Sequence, residues 1–215
     1  FSGKNKNQQT VNYILQQLIR LKADKTTFLV GVGGGVVTDI TGYVASIYMR
    51  GVSFGFVPTT LLAMVDAAIG GKNGIDIGIY KNLVGTINQP QFLLYDTSFL
   101  KSLPQSEWQN GFAEIIKHAC IKDENVFNIL NNKSISFYKK NKSELNRLIQ
   151  RNALCKAAIV QSDELEKGER KLLNFGHTLG HAIERSHQLS HGQAISIGMV
   201  AASRISEQLT GFRYT

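Results

Sequence analysis

The chain has few of the residues that mark secreted or membrane-spanning proteins. Its 215 residues include two cysteines, three prolines and one tryptophan. Two cysteines, Cys120 and Cys155, are too few for a disulfide framework and stand in no metal-ligand spacing. The longest mostly apolar stretch, residues 28–37, is interrupted by glycines and is shorter than the ~20 residues of a membrane helix. The opening residues lack the apolar run of a signal peptide. We therefore expect a soluble, cytoplasmic protein without a membrane partner.

The net charge is positive: 24 Lys and Arg against 16 Asp and Glu leave +8. Much of the excess lies in residues 133–151, where apolar residues are interleaved with the cations, and a solvated helix face explains that pattern. The sequence has no zinc-finger spacing, aromatic RNA-binding pattern or basic leucine zipper. We therefore expect no nucleic-acid partner. Binding of an anionic small substrate is another explanation for the net positive charge.

Hydrophobic periodicity divides the chain into two parts. Apolar runs at 26–32, 52–57 and 92–95 predict buried strands, and residues 9–20, 36–48 and 59–68 predict the helices between them. Strands that alternate with helices indicate a parallel sheet with right-handed crossovers. After Asp96 the spacing predicts helices at 106–121, 125–130, 143–162, 171–186 and 191–209, and no strand. The prediction is an α/β domain with a parallel sheet over residues 1–100, followed by an all-α domain over 101–215.

Two glycine-rich segments are candidates for anion binding. Gly33-Gly34-Gly35 stands between a predicted strand and a predicted helix, where backbone N–H groups can approach a phosphate. It does not match the usual dinucleotide fingerprint, so a tight turn explains it as well. Asp66 precedes Gly70-Gly71-Lys72, and a buried carboxylate is rarely left without a partner. The lysines of this segment suit a phosphorylated ligand, but a solvated loop accounts for them equally.

Histidines and carboxylates in the second half suggest a metal site. His177 and His181 are four residues apart and Glu184 is one turn further, so a helix places all three on one face. Neutral imidazoles on one face are typical Zn²⁺ ligands. Glu114 and Lys117 are neighbours on a predicted helix. Glu114 is thus either half of an ion pair or the carboxylate that completes a metal site.

The order of motifs along the chain is more specific than any of them alone. It resembles the 3-dehydroquinate synthase family from about Gly3 to Ser206 in the segments Gly-Gly-Gly-Val-Val-x-Asp, Tyr-Met-Arg-Gly, Val-Pro-Thr-Thr-Leu-Leu, Val-Asp-x-x-x-Gly-Gly-Lys, Phe-Ala-Glu-x-x-Lys, Asn-Phe-Gly-His-Thr-x-Gly-His-Ala-Ile-Glu and His-Gly-x-Ala. Members of this family are longer at both ends. The resemblance makes the first domain an NAD-binding domain and the second a metal- and substrate-binding domain.

The resemblance also implies an activity and a set of site residues. The reaction converts 3-deoxy-D-arabino-heptulosonate 7-phosphate to 3-dehydroquinate and phosphate, with catalytic NAD and a divalent ion, Zn²⁺ or Co²⁺. The implied metal ligands are Glu114, His177 and His191. The implied NAD contacts are Gly33, Gly34, Gly35, Asp39, Thr59, Thr60, Lys72, Lys81, Phe99, Leu100, Lys101 and Ser102. The implied contacts to the anionic sugar-acid phosphate are Asp66, Lys72, Asn82, Lys117, Lys156, Arg170, Asn174 and His181. Arg50 matches an arginine that reaches the neighbouring subunit's site, which implies a homodimer.

Two departures from the family pattern stand out. Family members carry a Gly-Glu pair near the adenosine end of NAD, and this sequence has no glutamate between Ser2 and Lys6. Gln193 stands where a glutamate is common in the family, and we expect it to retune the metal site. Three alternative functions are also consistent with the sequence. They are a sugar phosphate cyclase with another substrate, a metal-dependent polyol dehydrogenase of related architecture, and a degenerate protein that binds NAD or zinc without turnover. Lys156 and Arg170, which suit a substrate carboxylate, favour the acid substrate.

Overall fold

The structure is a computed structural model that describes residues 3–187 and 189–211, with the exception of the Arg185 side chain. The chain divides into two compact units, Phe1–Lys101 (unit 1) and Ser102–Thr215 (unit 2). None of the described helices is both long and apolar enough to cross a membrane.

Unit 1 is built around one parallel strand pair and a hairpin. Its helices are α1 (Gln8–Arg20) and α2 (Gly35–Ile47), and its strands are β1 (Phe28–Gly33), β2 (Ser53–Pro58), β3 (Lys72–Ile77) and β4 (Tyr80–Ile87). β1 and β2 pair in parallel from Phe28↔Ser53 to Gly33↔Pro58, with α2 as the crossover. Val44, Phe54, Phe56 and Ile75 are among the buried residues of its core. The predicted α/β character of this part is confirmed.

The antiparallel β3–β4 hairpin replaces the loop that the glycines of residues 70–74 suggested. Gly74 pairs with Gly85, and a Cβ on Gly85 would lie 2.1 Å from the Asn73 carbonyl oxygen. Gly74 and Gly85 therefore allow the two strands to approach closely, while Gly70 and Gly71 precede β3 and lie outside the strands. The strand predicted at 92–95 is reduced to a single parallel bridge, Phe56↔Leu93. The helix predicted at 59–68 is shorter and includes a π-helical turn, Ala63–Ala67.

The regular secondary structure of unit 2, within its described residues, is all helical. Its α-helices are α3 (Gln105–Lys122), α4 (Glu124–Asn131), α5 (Ile135–Lys140), α6 (Lys142–Ser162), α7 (His177–His187) and α8 (His191–Thr210). The helix predicted at 171–186 is divided in two, because Gly176 adopts a φ of 77° between a 3₁₀-helix, Glu169–Asn174, and α7. The short α5 was missed by the periodicity. Its Tyr138 ring packs on Phe112 of α3 at a centroid distance of 5.5 Å.

Candidate metal centre and anion-binding residues

Three helices of unit 2 bring Glu114, His177 and His191 together. Glu114 lies on α3 with no exposed surface, and His177 and His191 are the first residues of α7 and α8. The Glu114 Oε1 atom is 2.9 Å from His191 Nε2 and 3.6 Å from His177 Nε2. One potential ligand atom from each side chain lies within 4.8 Å of the other two. The three residues implied by the resemblance are therefore adjacent in space.

The spacing of these atoms fits a small divalent cation. In a tetrahedral zinc site with bonds of ~2.1 Å, neighbouring ligand atoms are about 3.4 Å apart, and the two distances to Glu114 bracket that value. Burial lowers the pKa of the His177 imidazole, and the Lys117 ammonium lowers it further against the opposing effect of Glu114. The imidazole is therefore neutral at pH 7, which is the form that binds metals. Two neutral nitrogens and one carboxylate oxygen are a donor set that zinc accepts.

Glycines in α7 and α8 set the distance between the two histidines. A Cβ on Gly198 would lie 2.0 Å from the Gly176 carbonyl oxygen, and one on Gly180 would lie 3.0 Å from the Ala194 carbonyl oxygen. The backbones of the two segments are thus in direct contact, and His177 follows Gly176 immediately. Because no side chain separates the segments, the start of α7, which carries His177, is held directly against α8.

The N-terminus of α8 is fixed by its own cap and by α3. Ser190 and Gln193 form a reciprocal capping box, which a glutamine completes as well as a glutamate. Gln193 Oε1 accepts from the Ser190 N–H at 3.0 Å, so the structure assigns this side chain to the helix terminus. The Gly192 N–H donates to Asn110 Oδ1 of α3 at 2.8 Å. These contacts orient His191 toward Glu114, and only the tertiary structure reveals the contribution of Asn110.

Unit 2 also buries three cations, which is unusual for lysine and arginine. Lys117 is 2% exposed, Lys156 is 7% exposed and Arg170 is 2% exposed. Lys117 Nζ forms an ion pair with Glu114 Oε2 within α3, so Glu114 is an ion-pair partner, and its role as a metal ligand stays a prediction. All three cations are positions that the resemblance assigned to the substrate. Their role there stays a prediction.

Of the remaining predicted residues of unit 2, His181 lies beside His177 and Asn174 lies at the end of the 3₁₀-helix before α7. The His181 ring centroid is 5.3 Å from that of His177, and its Nδ1 is 3.3 Å from Glu184 Oε2. His177, His181 and Glu184, which share a helix face, are therefore not the residues whose potential ligand atoms converge. The converging set is Glu114, His177 and His191. The His181 side chain is 46% exposed. Asn174 is exposed and donates to Glu166 Oε1 at 2.9 Å.

In unit 1 the glycine turn joins β1 to α2 as predicted. Gly34 caps α2, and a Cβ on Gly34 would lie 3.0 Å from the Thr60 side chain. The Thr59 N–H donates to the Gly33 carbonyl oxygen at 2.9 Å. Thr59 and Thr60 are thus brought beside the turn, as the resemblance requires. The first N–H groups of a helix at such a turn suit a pyrophosphate.

A closed network around Lys6 was not predicted. Lys6 Nζ forms an ion pair with Asp39 and donates to Asn82 Oδ1. Asp76 Oδ1 accepts a hydrogen bond from the Asn82 N–H at 2.9 Å, and the Asp76 N–H donates to the Lys6 carbonyl oxygen at 2.8 Å. The predicted cofactor contact Asp39 and the predicted substrate contact Asn82 therefore share one ammonium group. The sequence offered a weak signal, because Lys6 stands beside the departure from the family pattern.

The other predicted residues of unit 1 are dispersed over its elements. Asp66 lies on the π-helical turn, a feature frequent at functional sites. Lys72 and Lys81 are exposed on β3 and β4. The four residues Phe99, Leu100, Lys101 and Ser102 belong to a 3₁₀-helix, Thr97–Ser102.

Arg50 is presented by a strained turn. Met49 and Arg50 have φ values of 47° and 61°, a region that costs ~1–3 kcal/mol for a residue with a side chain. Lys25 Nζ donates to the carbonyl oxygens of Met49 at 2.9 Å and Gly51 at 2.5 Å. The Tyr48 hydroxyl donates to the Ala23 carbonyl oxygen at 2.7 Å. This bracing holds Arg50 exposed on the surface of unit 1.

Known proteins resemble both the sequence and the fold. The chain is 47% identical to the 3-dehydroquinate synthase of Chlamydia muridarum over 203 residues, which is 94% of this chain and 54% of that protein. It spans between 54% and 62% of the length of three such relatives. A 2-epi-5-epi-valiolone synthase from Streptomyces hygroscopicus, solved with NAD⁺ and Zn²⁺, is similar with a TM-score of 0.90 and 29% identity, over 97% of this chain and 59% of that one.

A second solved structure is a 2-deoxy-scyllo-inosose synthase complexed with carbaglucose-6-phosphate, NAD⁺ and Co²⁺. Its TM-score is 0.87 at 30% identity, over 97% of this chain and 57% of that one. The model of the 3-dehydroquinate synthase N-terminal domain matches residues 2–110, and that of the C-terminal domain matches residues 111–214. The chain therefore belongs to the 3-dehydroquinate synthase family.

Proposed function

We propose that the protein converts 3-deoxy-D-arabino-heptulosonate 7-phosphate to 3-dehydroquinate and inorganic phosphate. The observation that carries the proposal is the convergence of Glu114, His177 and His191 on one point in a chain of this family. Buried Lys117, in ion-pair contact with Glu114, adds a cation at the edge of that cluster. A buried site with a divalent ion and fixed positive charge suits a substrate with two anionic groups.

The proposed metal is Zn²⁺, held by Glu114, His177 and His191. Two similar enzymes were solved with Zn²⁺ or Co²⁺, and the donor set of this chain accepts either ion. When bound, the ion supplies a Lewis acid that polarises a substrate hydroxyl. Three protein ligands leave a coordination position for that hydroxyl. Lys117 is in ion-pair contact with the same carboxylate.

The proposed cofactor is NAD, with its pyrophosphate at Gly33, Gly34 and Gly35. Both similar enzymes were solved with NAD⁺, and the turn ends in the N-terminus of α2, which favours an anion. When bound, NAD supplies a hydride acceptor that is regenerated within the turnover. The remaining contacts proposed for it are Asp39, Thr59, Thr60, Lys72, Lys81, Phe99, Leu100, Lys101 and Ser102.

The substrate's anionic groups are assigned to the buried cations of unit 2. Arg170 presents a planar guanidinium that matches a carboxylate in two-point contact, and Lys156 supplies a second, compact charge. Lys117, Asn174 and His181 complete the set proposed for unit 2. The substrate contacts implied for unit 1, which are Asp66, Lys72 and Asn82, stay predictions of the resemblance.

A homodimer is part of the proposal, because Arg50 is implied to act in a neighbouring subunit. The support is that the turn around Arg50 is braced in a strained, exposed conformation. Mixing two inactive variants tests it. Arg50→Ala and His177→Ala proteins, unfolded together and refolded, should recover up to about a quarter of the activity if a mixed dimer contains one intact site. Absence of any recovery from proteins that do form dimers would refute the shared site.

The activity is tested with the purified protein, 3-deoxy-D-arabino-heptulosonate 7-phosphate, NAD and Zn²⁺. We expect inorganic phosphate to appear with no lasting absorbance of NADH, because the hydride acceptor is regenerated. Matched reactions lack NAD or contain EDTA, and both should release no phosphate. Lasting NADH formation would instead indicate a polyol dehydrogenase. Binding of NAD and zinc without phosphate release would indicate a degenerate protein.

A second candidate is a sugar phosphate cyclase whose substrate is a sugar phosphate without a carboxylate. The similarity to a 2-deoxy-scyllo-inosose synthase and to a 2-epi-5-epi-valiolone synthase at 29–30% identity favours it. The buried Arg170 and Lys156 favour the acid substrate over it, because a guanidinium and an ammonium suit a substrate carboxylate. Parallel assays with glucose 6-phosphate and sedoheptulose 7-phosphate, which lack the carboxylate, decide between the two.

A further inference from the structure

The segment between α6 and the following 3₁₀-helix is organised by one carboxylate, Asp163. Its Oδ1 accepts the Lys167 N–H at 2.9 Å. Its Oδ2 accepts the Gly168 N–H at 2.7 Å and the Arg170 N–H at 3.1 Å. Three backbone donors thus converge on one side chain, and the chain from 163 to 170 is folded around it.

This segment determines where Arg170 lies. The Arg170 backbone is bound to Asp163, and its Nη1 donates to the Glu164 carbonyl oxygen at 2.6 Å. Arg170 is thus held at both its backbone and its guanidinium by residues of the same loop. A guanidinium that is 2% exposed has few alternative positions, so the loop conformation fixes its direction.

The same loop reaches a second predicted substrate contact. Glu166 has a φ of 56°, and its Oε1 accepts from Asn174 Nδ2 at 2.9 Å. Its own N–H donates to the Asp163 carbonyl oxygen at 3.3 Å. Glu166 therefore depends on the conformation that Asp163 maintains.

We infer that Asp163 is a positioning residue for substrate recognition, which acts by holding Arg170 in the orientation that binds the substrate carboxylate. The inference rests on the proposed function and deepens it. Asp163 does not itself contact the substrate; its contribution is to pre-form the loop, so that substrate binding does not have to order it.

The negative charge of Asp163 matters as well as its shape. The hydrogen bonds from Gly168, Lys167 and Arg170, together with the Arg170 charge, hold the pKa of this carboxyl below its ordinary value. A carboxylate has two acceptor oxygens, whereas an asparagine has one and would turn its NH₂ group toward a backbone N–H. Asp163→Asn therefore keeps the shape but loses at least one of the three bonds.

A double-mutant cycle tests the inference. Binding of 3-deoxy-D-arabino-heptulosonate 7-phosphate is measured by calorimetry on zinc-loaded protein without NAD, where no turnover occurs. We expect Asp163→Ala to weaken binding about 10- to 100-fold, the usual loss when a residue that orients another is removed. Arg170→Met should weaken it at least as much. The double variant should bind no more weakly than Arg170→Met alone, because Asp163 acts through Arg170.

Matched variants separate this role from general stability. Glu144→Gln removes a carboxylate at the other end of α6, where Glu144 pairs with Lys133 and Arg147, and should leave substrate binding unchanged. Asp163→Asn, a milder change, should give an intermediate loss with the fold intact by circular dichroism. Hydrogen exchange should accelerate at the amides of Lys167, Gly168 and Arg170 in both Asp163 variants. Zinc content and NAD affinity should not change.

The outcomes distinguish the inference from the proposed function. If the wild-type protein does not bind the acid phosphate, the proposed function fails and the inference fails with it. If the wild type binds but the losses from Asp163→Ala and Arg170→Met are additive, or Asp163→Ala binds normally, only the inference is overturned. Equal losses for the substrate and for NAD would also overturn it, because they indicate a general structural role.

Discussion

A single methyl group on α8 should open the metal cluster. In Gly198→Ala the new Cβ would lie 2.0 Å from the Gly176 carbonyl oxygen and 2.9 Å from the Gly180 nitrogen. Both are backbone atoms, so no side chain can rotate away. The segment that begins α7 must move, and it carries His177.

The size of this movement follows from the contact distance. To restore ordinary van der Waals separation, the carbonyl must retreat by more than about 1 Å, which is half the length of a zinc–nitrogen bond of ~2.0–2.1 Å. A misplacement of that size commonly costs about 100-fold in a binding or catalytic constant. Alanine gains ~1 kcal/mol over glycine within a helix, while overpacking costs ~1–3 kcal/mol. The net cost is therefore about 0–2 kcal/mol, so we expect a modest change in thermal stability and a large one in zinc affinity.

Competition with a chelating dye measures the zinc affinity. Gly198→Ala should bind zinc about 100-fold more weakly than the wild type. Its melting temperature should change by no more than about 8 °C. Gly3→Ala is the matched control, because a Cβ there meets nothing within 4 Å, and it should bind zinc normally. Unchanged zinc affinity in Gly198→Ala would refute the reasoning that this backbone contact sets the position of His177.

Three further predictions concern other parts of the site. His177→Ala should bind zinc at least 100-fold more weakly, since one of three protein ligands is removed, and elemental analysis after dialysis should find the zinc lost. Full retention of zinc would contradict the proposed ligand set. Lys6→Met should weaken NAD binding about 3- to 10-fold in a fluorescence titration while zinc content is unchanged, because Asp39 loses its ion pair; unchanged NAD affinity would refute the link. The lowered pKa of Asp163 means that its stabilising contribution is complete above about pH 4 and is lost as the pH falls below that value. Asp163→Asn should therefore flatten the acid side of a denaturation-midpoint profile between pH 5 and pH 3, whereas an unchanged slope would contradict the hydrogen bonding described.

Local sequence signals predicted the elements whose structure depends on near neighbours. The turn at Gly33, Gly34 and Gly35 was predicted between a strand and a helix, and the structure has β1 ending at Gly33 and α2 beginning at Gly35. The long helices of unit 2 were predicted from apolar residues at helical spacing. These features follow from periodicity and from the conformational freedom of glycine.

The β3–β4 hairpin shows where local signals failed. Gly70, Gly71 and Gly74 indicated a loop, because glycine is unfavourable in an isolated strand; Gly70 and Gly71 do lie outside the strands, but Gly74 belongs to β3. In the structure Gly74 faces Gly85 across the hairpin, where the absence of side chains lets the backbones approach. That pairing depends on Gly85, which is eleven residues further along the chain, and the propensities of neighbouring residues do not predict such a partner.

The sequence by itself determined the helix spacing, the glycine turn and, through the order of its motifs, the family. It did not determine which imidazoles share an ion: helical spacing favoured His181 beside His177, and only family resemblance indicated His191. The tertiary structure shows which side chains lie together: potential ligand atoms of Glu114, His177 and His191 are within 4.8 Å of one another. Glu114 and His191, which are 77 positions apart, are in contact at 2.9 Å because Gly192 and Asn110 hold the start of α8 against α3. Glycine contacts hold α7 on α8 in turn. Periodicity reports neighbours on one helix, whereas a metal site needs ligands from several helices, whose distances depend on how their backbones pack.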